Sequence, residues 1–403
     1  MLAPFPRMTT LTVHASRIGP VLARHPWIFA GALQAVPEGL ETGSPVRVLA
    51  PDGRFLAQGY FDGYSQIAVR VWGWDEHEVV DDAFFRRRFE RALALRERVL
   101  GGTGTNAYRL VFSESDLLPG LVVDRYGDYL CLQCHTRGIE VWRDTLVRVL
   151  VELLQPRGIY ERSDVKVRAI EGAAPRTGVL HGDVPPLVEI SENQLRFLVD
   201  LAGGQKTGFF LDQRDKRAAL QRYARDRRVL NCFSYTGGFS IYAGAAGARQ
   251  VTSVDVSAKA LEVARQHVAL NHLPEERFEF VCADVKDYLA RLASGAAGES
   301  FDVIVLDPPA FVKDRRKVQE GLAGYRRINE AALRLLPSGG MLVTCSCSGH
   351  ITMADFRHLV AECGGRARRT VQIIETHGHG SDHPELAPYP ESAYLKVLFC
   401  AVW

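Results

Sequence analysis

The sequence has no apolar run long enough to span a lipid bilayer, and its N-terminal stretch MLAPFPRMTTLTVHASR lacks the charged and then apolar pattern of a secretory signal. Both absences predict a cytoplasmic protein without a membrane partner. The eight cysteines are then expected to be mostly reduced, because disulfides are rare in that compartment. An excess of charge of one sign is also lacking. The net charge of the 403 residues is only +2, so overall charge gives no argument for a polyanionic partner.

Two kinds of binding motif are absent as well. The segment NCFSYTGGFS at 231–240 is not a G-x-G-x-x-G, so a pyrophosphate-binding dinucleotide turn is poorly supported. Cys131 and Cys134 have the spacing of a zinc pair, but they lie in an apparent strand and no second pair follows. The histidine-rich segment HGHGSDH at 377–383 is interpreted as a loop rather than a metal site. We therefore predict no metal.

Basic residues are nevertheless grouped along the chain, at 86–88, 214–228, 313–317 and 366–369. A single cluster of this kind can be the solvated face of a helix or a loop. Several clusters in one chain fit a polyanionic partner better than a small neutral one.

The N-terminal half has two differently patterned regions. Short runs of alternating apolar residues, separated by Asp-Gly turns, predict a small β-barrel at the start of the chain. A helix is predicted over 82–99, where apolar residues recur at helical spacing. A hairpin is then expected to turn at Tyr126-Gly127-Asp128, and a helix is predicted over 145–154. The Gly- and Pro-rich stretch 168–186 is interpreted as a loop near a domain boundary.

In the C-terminal half, short apolar strands alternate with helices, which predicts parallel βαβ units in an open sheet. The whole pattern predicts three domains, at 8–76, 80–188 and 190–403. An open parallel sheet binds its ligand at the carboxyl ends of its strands. The residues that directly follow each strand are therefore the first candidates for a functional site.

Polar side chains end four successive predicted strands: Asn231, Asp255, Asp284 and Asp307. Polar residues often cap the helices that follow strands, so one such carboxylate means little. Three in succession favour a cofactor that contains a nucleoside, because Asp255 could accept hydrogen bonds from ribose hydroxyls and the Gly237-Gly238 turn allows close approach of a ligand. A sulfonium cofactor, which is positively charged and has no phosphates, suits carboxylates better than a phosphate-rich one.

Five segments occur in order in the C-terminal half: GGQKTGFFLDQRDKR (203–217), NCFSYTGGFS (231–240), DPPAF (307–311), SCSG (346–349) and DHPELAPYPESAYLK (382–396). Together they resemble class I S-adenosylmethionine-dependent methyltransferases, and more closely the 23S ribosomal RNA cytosine-5 methyltransferases of the RlmI type. RHPWIF (24–29) and GRFLAQGYF (53–61) resemble the PUA-like part of that family. The resemblance implies an α/β protein. A Rossmann-like class I methyltransferase domain, with a mostly parallel seven-stranded sheet, would follow a small PUA-like β-barrel and a central α/β domain.

The resemblance also implies a cofactor and the residues that bind it. The cofactor would be S-adenosyl-L-methionine (SAM), with S-adenosyl-L-homocysteine (SAH) as the product. Asp255 would bind the ribose hydroxyls, Asp284 the adenine amino group, and Asp307 would lie near the methyl group and the target base. Lys206 and Arg214 match a stretch that packs against the site in the family, and we assign them catalytic and substrate-binding roles, respectively. The methionine and ribose end of SAM would be lined by Asn231, Phe233, Ser234, Gly237 and Gly238.

The two cysteines of LVTCSCSG raise the question of which one is catalytic. Cytosine C5 is a weak nucleophile, and a thiolate that adds to C6 makes C5 reactive, with Asp307 as the candidate acid or hydrogen-bonding group at N3. Cys347 lies just beyond the predicted strand and matches the cysteine of the L-V-x-x-x-C-S pattern of RNA cytosine-5 methyltransferases. We therefore expect Cys347 to be the nucleophile and Cys345 to be a packed core thiol. A second catalytic cysteine found in many such enzymes is replaced by Ala310, as in the RlmI type, so product release needs another base.

The predicted partner is 23S ribosomal RNA or a large-subunit precursor, and a homodimer is left open. Lys313, Arg315 and Arg316 would hold the phosphates that flank a target base, which has to leave its stack. Two alternatives stay open. A ribosomal RNA guanine-N7 methyltransferase shares the S-Y-T-G-G and DPP-x-F features but needs no cysteine nucleophile. A non-catalytic assembly factor that binds SAM and RNA would need no thiol near Asp307.

Overall fold

The computed structural model describes residues 8–294, 300–312 and 314–403. These residues fold into two compact units. The first comprises the chain up to Ile190 together with Val199–Leu211 and Ser381–Ser392, and the second comprises Ser191–Leu198, Asp212–Gly380 and Ala393–Trp403. The division into three domains stays a prediction. None of the described helices combines the length and the apolar character needed to cross a membrane.

The first sheet of the first unit has five strands in the order β1-β3-β4-β5-β2. Its strands and one short helix are β1 Thr9–Thr12, α1 Ile18–Leu22, β2 Trp27–Phe29, β3 Pro45–Leu49, β4 Phe55–Phe61 and β5 Ile67–Gly73. The turn between β3 and β4 forms because Gly53 adopts φ of +84° and the Asp52 carboxylate accepts a hydrogen bond from the Arg54 amide at 3.0 Å. The strands predicted on either side of the Asp-Gly turns are confirmed.

The second sheet of the first unit has the order β10-β9-β8-β7-β6. Its elements are α2 Asp82–Leu100, β6 Ala107–Phe112, β7 Leu121–Tyr126, β8 Tyr129–Cys134, α3 Arg137–Glu140, α4 Arg143–Leu154, β9 Gly158–Ser163, α5 Val167–Ile170 and β10 Arg176–Gly182. The predicted hairpin and both long helices are confirmed. The loop predicted over 168–186 is wrong in part, because β10 pairs antiparallel with β9 at the edge of the sheet. An edge strand has few buried side chains, so it shows no apolar alternation in the sequence.

A hairpin of β11 Val188–Glu192 and β12 Leu195–Val199 precedes the large sheet of the second unit. That sheet has seven strands in the order β15-β14-β13-β16-β17-β19-β18, all parallel except at β19. Its strands are β13 Arg228–Cys232, β14 Gln250–Asp255, β15 Phe278–Cys282, β16 Val303–Leu306, β17 Gly340–Ser346, β18 Val371–His377 and β19 Lys396–Val402. Its helices are α6 Arg214–Ala224, α7 Gly238–Ala245, α8 Ala258–Leu270, α9 Val285–Ala293, α10 Val318–Leu335 and α11 Met353–Ala367.

Both faces of this sheet are covered, which explains why its central strands are apolar throughout. Alternate residues of one strand belong to different cores: Leu230 packs in the cluster that contains residues of α9, α10 and α11, whereas Val229 packs in the cluster that contains residues of α6 and α7. The chain moves outward from β13 to β15 and then returns to β16 on the other side of β13. The carboxyl ends of β13 and β16 therefore meet at the point where the strand order reverses, which is where such sheets bind ligands.

Candidate active site

The turn that follows β13 has an unusual backbone. Phe233, Tyr235 and Gly237 have φ of +59°, +47° and +76°, so two of these three left-handed residues are not glycine. Such residues are uncommon and concentrate at functional turns. At Gly237 a side chain would be strained by the positive φ, and a Cβ atom would lie 3.0 Å from the Cβ of Ala264. Close packing against Ala264 thus supports the conformation of this turn.

Gly238 leaves room for a buried protein side chain, because a Cβ atom there would lie 2.9 Å from Cδ of Arg217. Arg217 is buried and forms a two-pronged ion pair with Glu192, with N···O distances of 2.8 and 2.6 Å. The Tyr242 hydroxyl donates a further hydrogen bond to Oε1 of Glu192 at 3.0 Å. This pair raises the pKa of Arg217 and supports the glycine turn from inside the fold.

The aspartates that are predicted to bind the cofactor also accept hydrogen bonds from backbone amides. Asp255 accepts hydrogen bonds from the amides of Tyr235 at 2.8 Å and Ser257 at 2.9 Å, so it ties the turn after β13 to the end of β14. Asp284 caps α9 by accepting a hydrogen bond from the Lys286 amide at 2.7 Å, which is the helix-capping role weighed above. A carboxylate oxygen has more than one acceptor site, so neither contact prevents ligand binding. The ribose and adenine roles stay predictions.

Several buried polar atoms near the end of β13 test whether SAM fits. The Asn231 side chain donates to Ser240 Oγ at 2.9 Å. Asn231 Oδ1, Ser234 Oγ and Thr236 Oγ1 are buried and have no hydrogen-bond partner among the described residues. Buried polar atoms are seldom left in this state. These three atoms, with the carboxylates of Asp255 and Asp284 at the neighbouring strand ends, fit a ligand that carries hydroxyl and amine donors, as SAM does.

Asp307 and Cys347 lie at the ends of adjacent parallel strands. β16 and β17 pair in a register that places Leu306 opposite Thr344. Oδ1 of Asp307 accepts a hydrogen bond from Nε2 of Gln213 at 2.9 Å. Sγ of Cys347 donates a long hydrogen bond to the carbonyl oxygen of Pro308, the residue after Asp307, at 3.9 Å. The pairing of the two strands thus brings a thiol and a carboxylate to the same edge of the sheet.

The two cysteines of β17 and its end have different environments. Cys345 is fully buried, and burial raises the pKa of its thiol well above the usual value, an effect to which the Asp307 carboxylate adds. Cys345 is therefore protonated and shielded. Cys347 lies one residue beyond the last residue of β17 and is only partly buried. Of the two, Cys347 is the one that a substrate can reach.

Comparison with known proteins identifies the family. The family model described as S-adenosylmethionine-dependent methyltransferase matches residues 175–400, and a PUA-like domain model matches 11–74. A ribosomal RNA large subunit methyltransferase I of Klebsiella pneumoniae strain 342 is 44% identical over 399 residues, 99% of this chain and 98% of that protein. The enzyme of the same name from Tolumonas auensis is 45% identical over 392 residues, 97% of this chain and 98% of that protein. The chain belongs to this methyltransferase family.

Solved structures share the fold of this family. A protein of Streptococcus mutans that has been assigned as a SAM-dependent methyltransferase superposes with a TM-score of 0.82 at 24% identity, over 98% of this chain and all of that one. A second protein, assigned as a methyltransferase and solved in complex with SAH, gives a TM-score of 0.83 at 23% identity over 98% of this chain. The predicted fold class is confirmed. The family membership confirms SAM as the cofactor.

The remaining predicted residues are placed as follows. Lys206 belongs to the first unit, with its Nζ 4.5 Å from the centre of the Phe210 ring. Arg214 begins α6 and is only 1% exposed, so it could contact a substrate only from inside the fold. The Arg316 side chain is 88% exposed and pairs with Asp314 at 2.7 Å. Lys313 and the side chain of Arg315 lie outside the described part of the chain. The roles of all five basic residues stay predictions.

Two residues of the site were missed by the sequence reasoning. Gln213 donates a hydrogen bond to Asp307, and Nζ of Lys396 donates one at 2.7 Å to the carbonyl oxygen of Ser348, the residue after Cys347. Both lie in segments that carry the family resemblance, 203–217 and 382–396. Residue type alone gave no reason to select them, because Gln213 and Lys396 reach the strand ends only through the tertiary fold.

Replacing Glu192 with alanine tests the support beneath the turn. Glu192→Ala removes the carboxylate that forms a two-pronged ion pair with the buried Arg217 guanidinium, so we expect the free energy of unfolding to fall by about 3–5 kcal/mol and SAH binding to weaken. Urea denaturation and calorimetric titration with SAH measure the two effects. The matched control is Glu262→Ala, which removes the exposed partner of Arg265 and should cost less than about 1 kcal/mol. Equal losses in the two variants would contradict the proposed support.

Proposed function

We propose that this protein transfers a methyl group from SAM to C5 of a cytosine in 23S ribosomal RNA or a large-subunit precursor, with Cys347 as the covalent nucleophile. The observation that carries the proposal is the partly buried Cys347 thiol next to the Asp307-Pro308 strand end. The relatives named above are large-subunit ribosomal RNA methyltransferases, which supports the RNA class. A guanine-N7 methyltransferase or a non-catalytic factor would have no use for a thiol at this place.

The cofactor would be held at the carboxyl ends of β13 to β16. SAM supplies an electrophilic methyl group on a positively charged sulfur. Asp255 and Asp284 would bind its ribose and adenine, and the buried oxygens of Asn231 and Ser234 would accept or donate hydrogen bonds at its methionine end. The turn formed by Phe233, Gly237 and Gly238 would close around it.

Cys347 would act by adding to the target base. Its thiolate forms a bond between Sγ and C6 of cytosine, and the electron pair of the C5–C6 double bond shifts to C5, which becomes nucleophilic. Asp307, fixed by Gln213, would supply the acid or hydrogen bond at N3. Once C5 carries the methyl group, a base takes the C5 proton, the double bond re-forms, and the C6–S bond breaks to restore the thiolate.

The basic residues Lys206, Arg214, Lys313, Arg315 and Arg316 are proposed to act on the substrate side. Arg316 is the best supported of them as a phosphate contact, because its side chain is almost fully exposed. It belongs to the 3-10 helix Arg315–Lys317, which follows β16 and precedes α10. It therefore lies on the connection that leaves the carboxyl end of β16, on the side of the sheet where Asp307 is found.

Replacing Cys347 with alanine tests the nucleophile. With SAM and unmodified 23S ribosomal RNA, wild type should form 5-methylcytidine, and Cys347→Ala should lose at least about a thousandfold of that activity because the step at C6 has no substitute. Nucleoside analysis by mass spectrometry measures the product. RNA that contains 5-fluorocytidine should form a stable adduct with wild type, because fluorine at C5 cannot leave as a proton.

The matched control for this experiment is Cys345→Ala. Cys345 is a buried thiol of β17, two residues before Cys347, so its loss should reduce stability while the adduct and the methylated product still form. Formation of 7-methylguanosine, or full activity of Cys347→Ala, would overturn the cytosine mechanism. Loss of product release in Cys345→Ala, with the adduct retained, would instead give Cys345 the missing second role.

Reversing the charge of Arg316 tests the phosphate contact. Arg316→Glu should weaken RNA binding and lower the slope of log affinity against log salt by about 1, because one fewer counter-ion is released. Filter binding over a series of salt concentrations measures both quantities. The control is Arg334→Glu in the last turn of α10, an exposed arginine that pairs with Glu330. An unchanged slope in Arg316→Glu would rule the contact out.

A further inference from the structure

Lys396 is a buried cation at the edge of the active site. It is the first residue of β19, pairs across the sheet with Ser346 of β17, and is only 3% exposed. Ser346 is the residue directly before Cys347. The Lys396 side chain therefore starts on β19, opposite the last paired residue of β17 before Cys347. A lysine is almost never buried in this way without a compensating group.

The hydrogen bonds of Lys396 leave its charge without a counter-ion. Its Nζ donates to the carbonyl oxygens of Ser348 and Tyr394, both at 2.7 Å. Lys396 has no ion pair with a carboxylate in the part of the chain that the structure describes. An ammonium has three N–H donors, and the two carbonyls use two of them. The fold thus holds a cation at the residue after Cys347 and provides no anion for it.

The groups around Lys396 narrow the choice of a counter-ion. Burial lowers the pKa of Lys396 to about 8, and the negative charges that oppose this effect come first from Cys347 and second from Asp355. Asp355 is exposed at the start of α11, where its carboxylate is engaged with the amide and hydroxyl of Thr352. The remaining candidate is Cys347 in its thiolate form.

We propose that the ammonium of Lys396 is the counter-ion of the Cys347 thiolate and thereby keeps this thiol reactive at neutral pH. Lys396 is in this sense a positioning residue that acts through Cys347. The inference adds to the proposed function. The ion pair itself does not depend on that function, whereas the role of the thiolate as a nucleophile toward cytosine rests on it. Its chemistry is that of other activated thiols, whose ionised form is favoured by a nearby cation.

Other titratable groups near Cys347 and Lys396 also affect the charge state of this pair. Asp307, at the end of β16, disfavours a second negative charge nearby, so a thiolate at this edge of the sheet needs a cation. Cys345 on β17 stays a neutral thiol, since burial raises its pKa. Tyr325 on α10 bonds to the Ser348 hydroxyl at 3.0 Å, and burial raises its pKa as well. Lys396 is charged below about pH 8, so its effect on Cys347 is largest at neutral pH and fades above that value.

Alkylation of Cys347 tests this inference without substrate. The full chain, free of SAM and RNA, is treated with iodoacetamide between pH 5.5 and 9.5, and the Cys347 and Cys282 peptides are quantified by mass spectrometry. Cys282 is exposed and serves as the internal reference. We expect wild-type Cys347 to react with a midpoint below the value of about 8.5 for a free thiol. In Lys396→Gln, which keeps an N–H donor but no charge, we expect the midpoint to rise by one unit or more, with about tenfold slower alkylation at pH 7.

A charge-retaining variant and measurements of the melting temperature distinguish an electrostatic role of Lys396 from a purely structural one. Lys396→Arg should retain most of the lowered midpoint, because it retains the cation. If Lys396→Gln lowers the melting temperature but leaves the Cys347 midpoint unchanged, Lys396 is structural and the proposal fails. Should Lys396→Gln not fold, the wild-type midpoint decides alone, and a value at or above that of Cys282 overturns the proposal.

The alkylation and methylation experiments separate a failure of the Lys396 inference from a failure of the proposed function. If Cys347→Ala still methylates RNA, the cytosine mechanism fails, while a midpoint that depends on Lys396 still establishes the ion pair. If wild type forms the 5-fluorocytidine adduct but its Cys347 midpoint equals that of Cys282, the nucleophile stands and the Lys396 inference fails.

Discussion

Parallel pairing of four neighbouring strands, β14-β13-β16-β17, is the constraint on which the site depends. Because these strands run in one direction, the residue after each strand is delivered to the same edge of the sheet. The strand order reverses between β13 and β16, and open sheets of this kind bind their ligands at such a point. Residues that lie more than a hundred positions apart in the chain, such as Asn231 and Cys347, are brought to one side of the molecule by this arrangement alone.

The turn after β13 shows how binding groups and structural groups are combined. Asp255 holds two backbone amides, and Asp284 caps a helix. The glycines of the turn are required first by protein packing, against Ala264 and Arg217. The backbone is therefore rigid where a ligand would bind, which reduces the conformational entropy that binding has to overcome. The buried oxygens left without partners then become acceptors that a ligand can satisfy.

The difference between Cys345 and Cys347 comes from where the strand ends. Two residues apart, both side chains leave the strand on the same face. Cys345 is paired within the sheet opposite Val397 and is enclosed by the core, whereas Cys347 lies beyond the last paired residues, Ser346 and Lys396. The Cys345 thiol is therefore a neutral, packed core group, whereas the Cys347 thiol is partly exposed, contacts the carbonyl oxygen of Pro308 and lies one residue before the carbonyl that Lys396 binds.

The sequence by itself determined the alternation of strands and helices, the parallel sheet and the strand-end residues. These features follow from the spacing of apolar residues and from the polar residues that end each run, and both are properties of short continuous segments. It also determined the family, since motifs such as DPPAF and SCSG are continuous segments. It did not reveal β10, because an edge strand needs no buried alternation. Only the tertiary structure decided that Gly238 makes room for Arg217, that Gln213 holds Asp307, and that Lys396 is buried beside Cys347. These are contacts between residues far apart in the chain, and their energies depend on burial and distance, which no local pattern records.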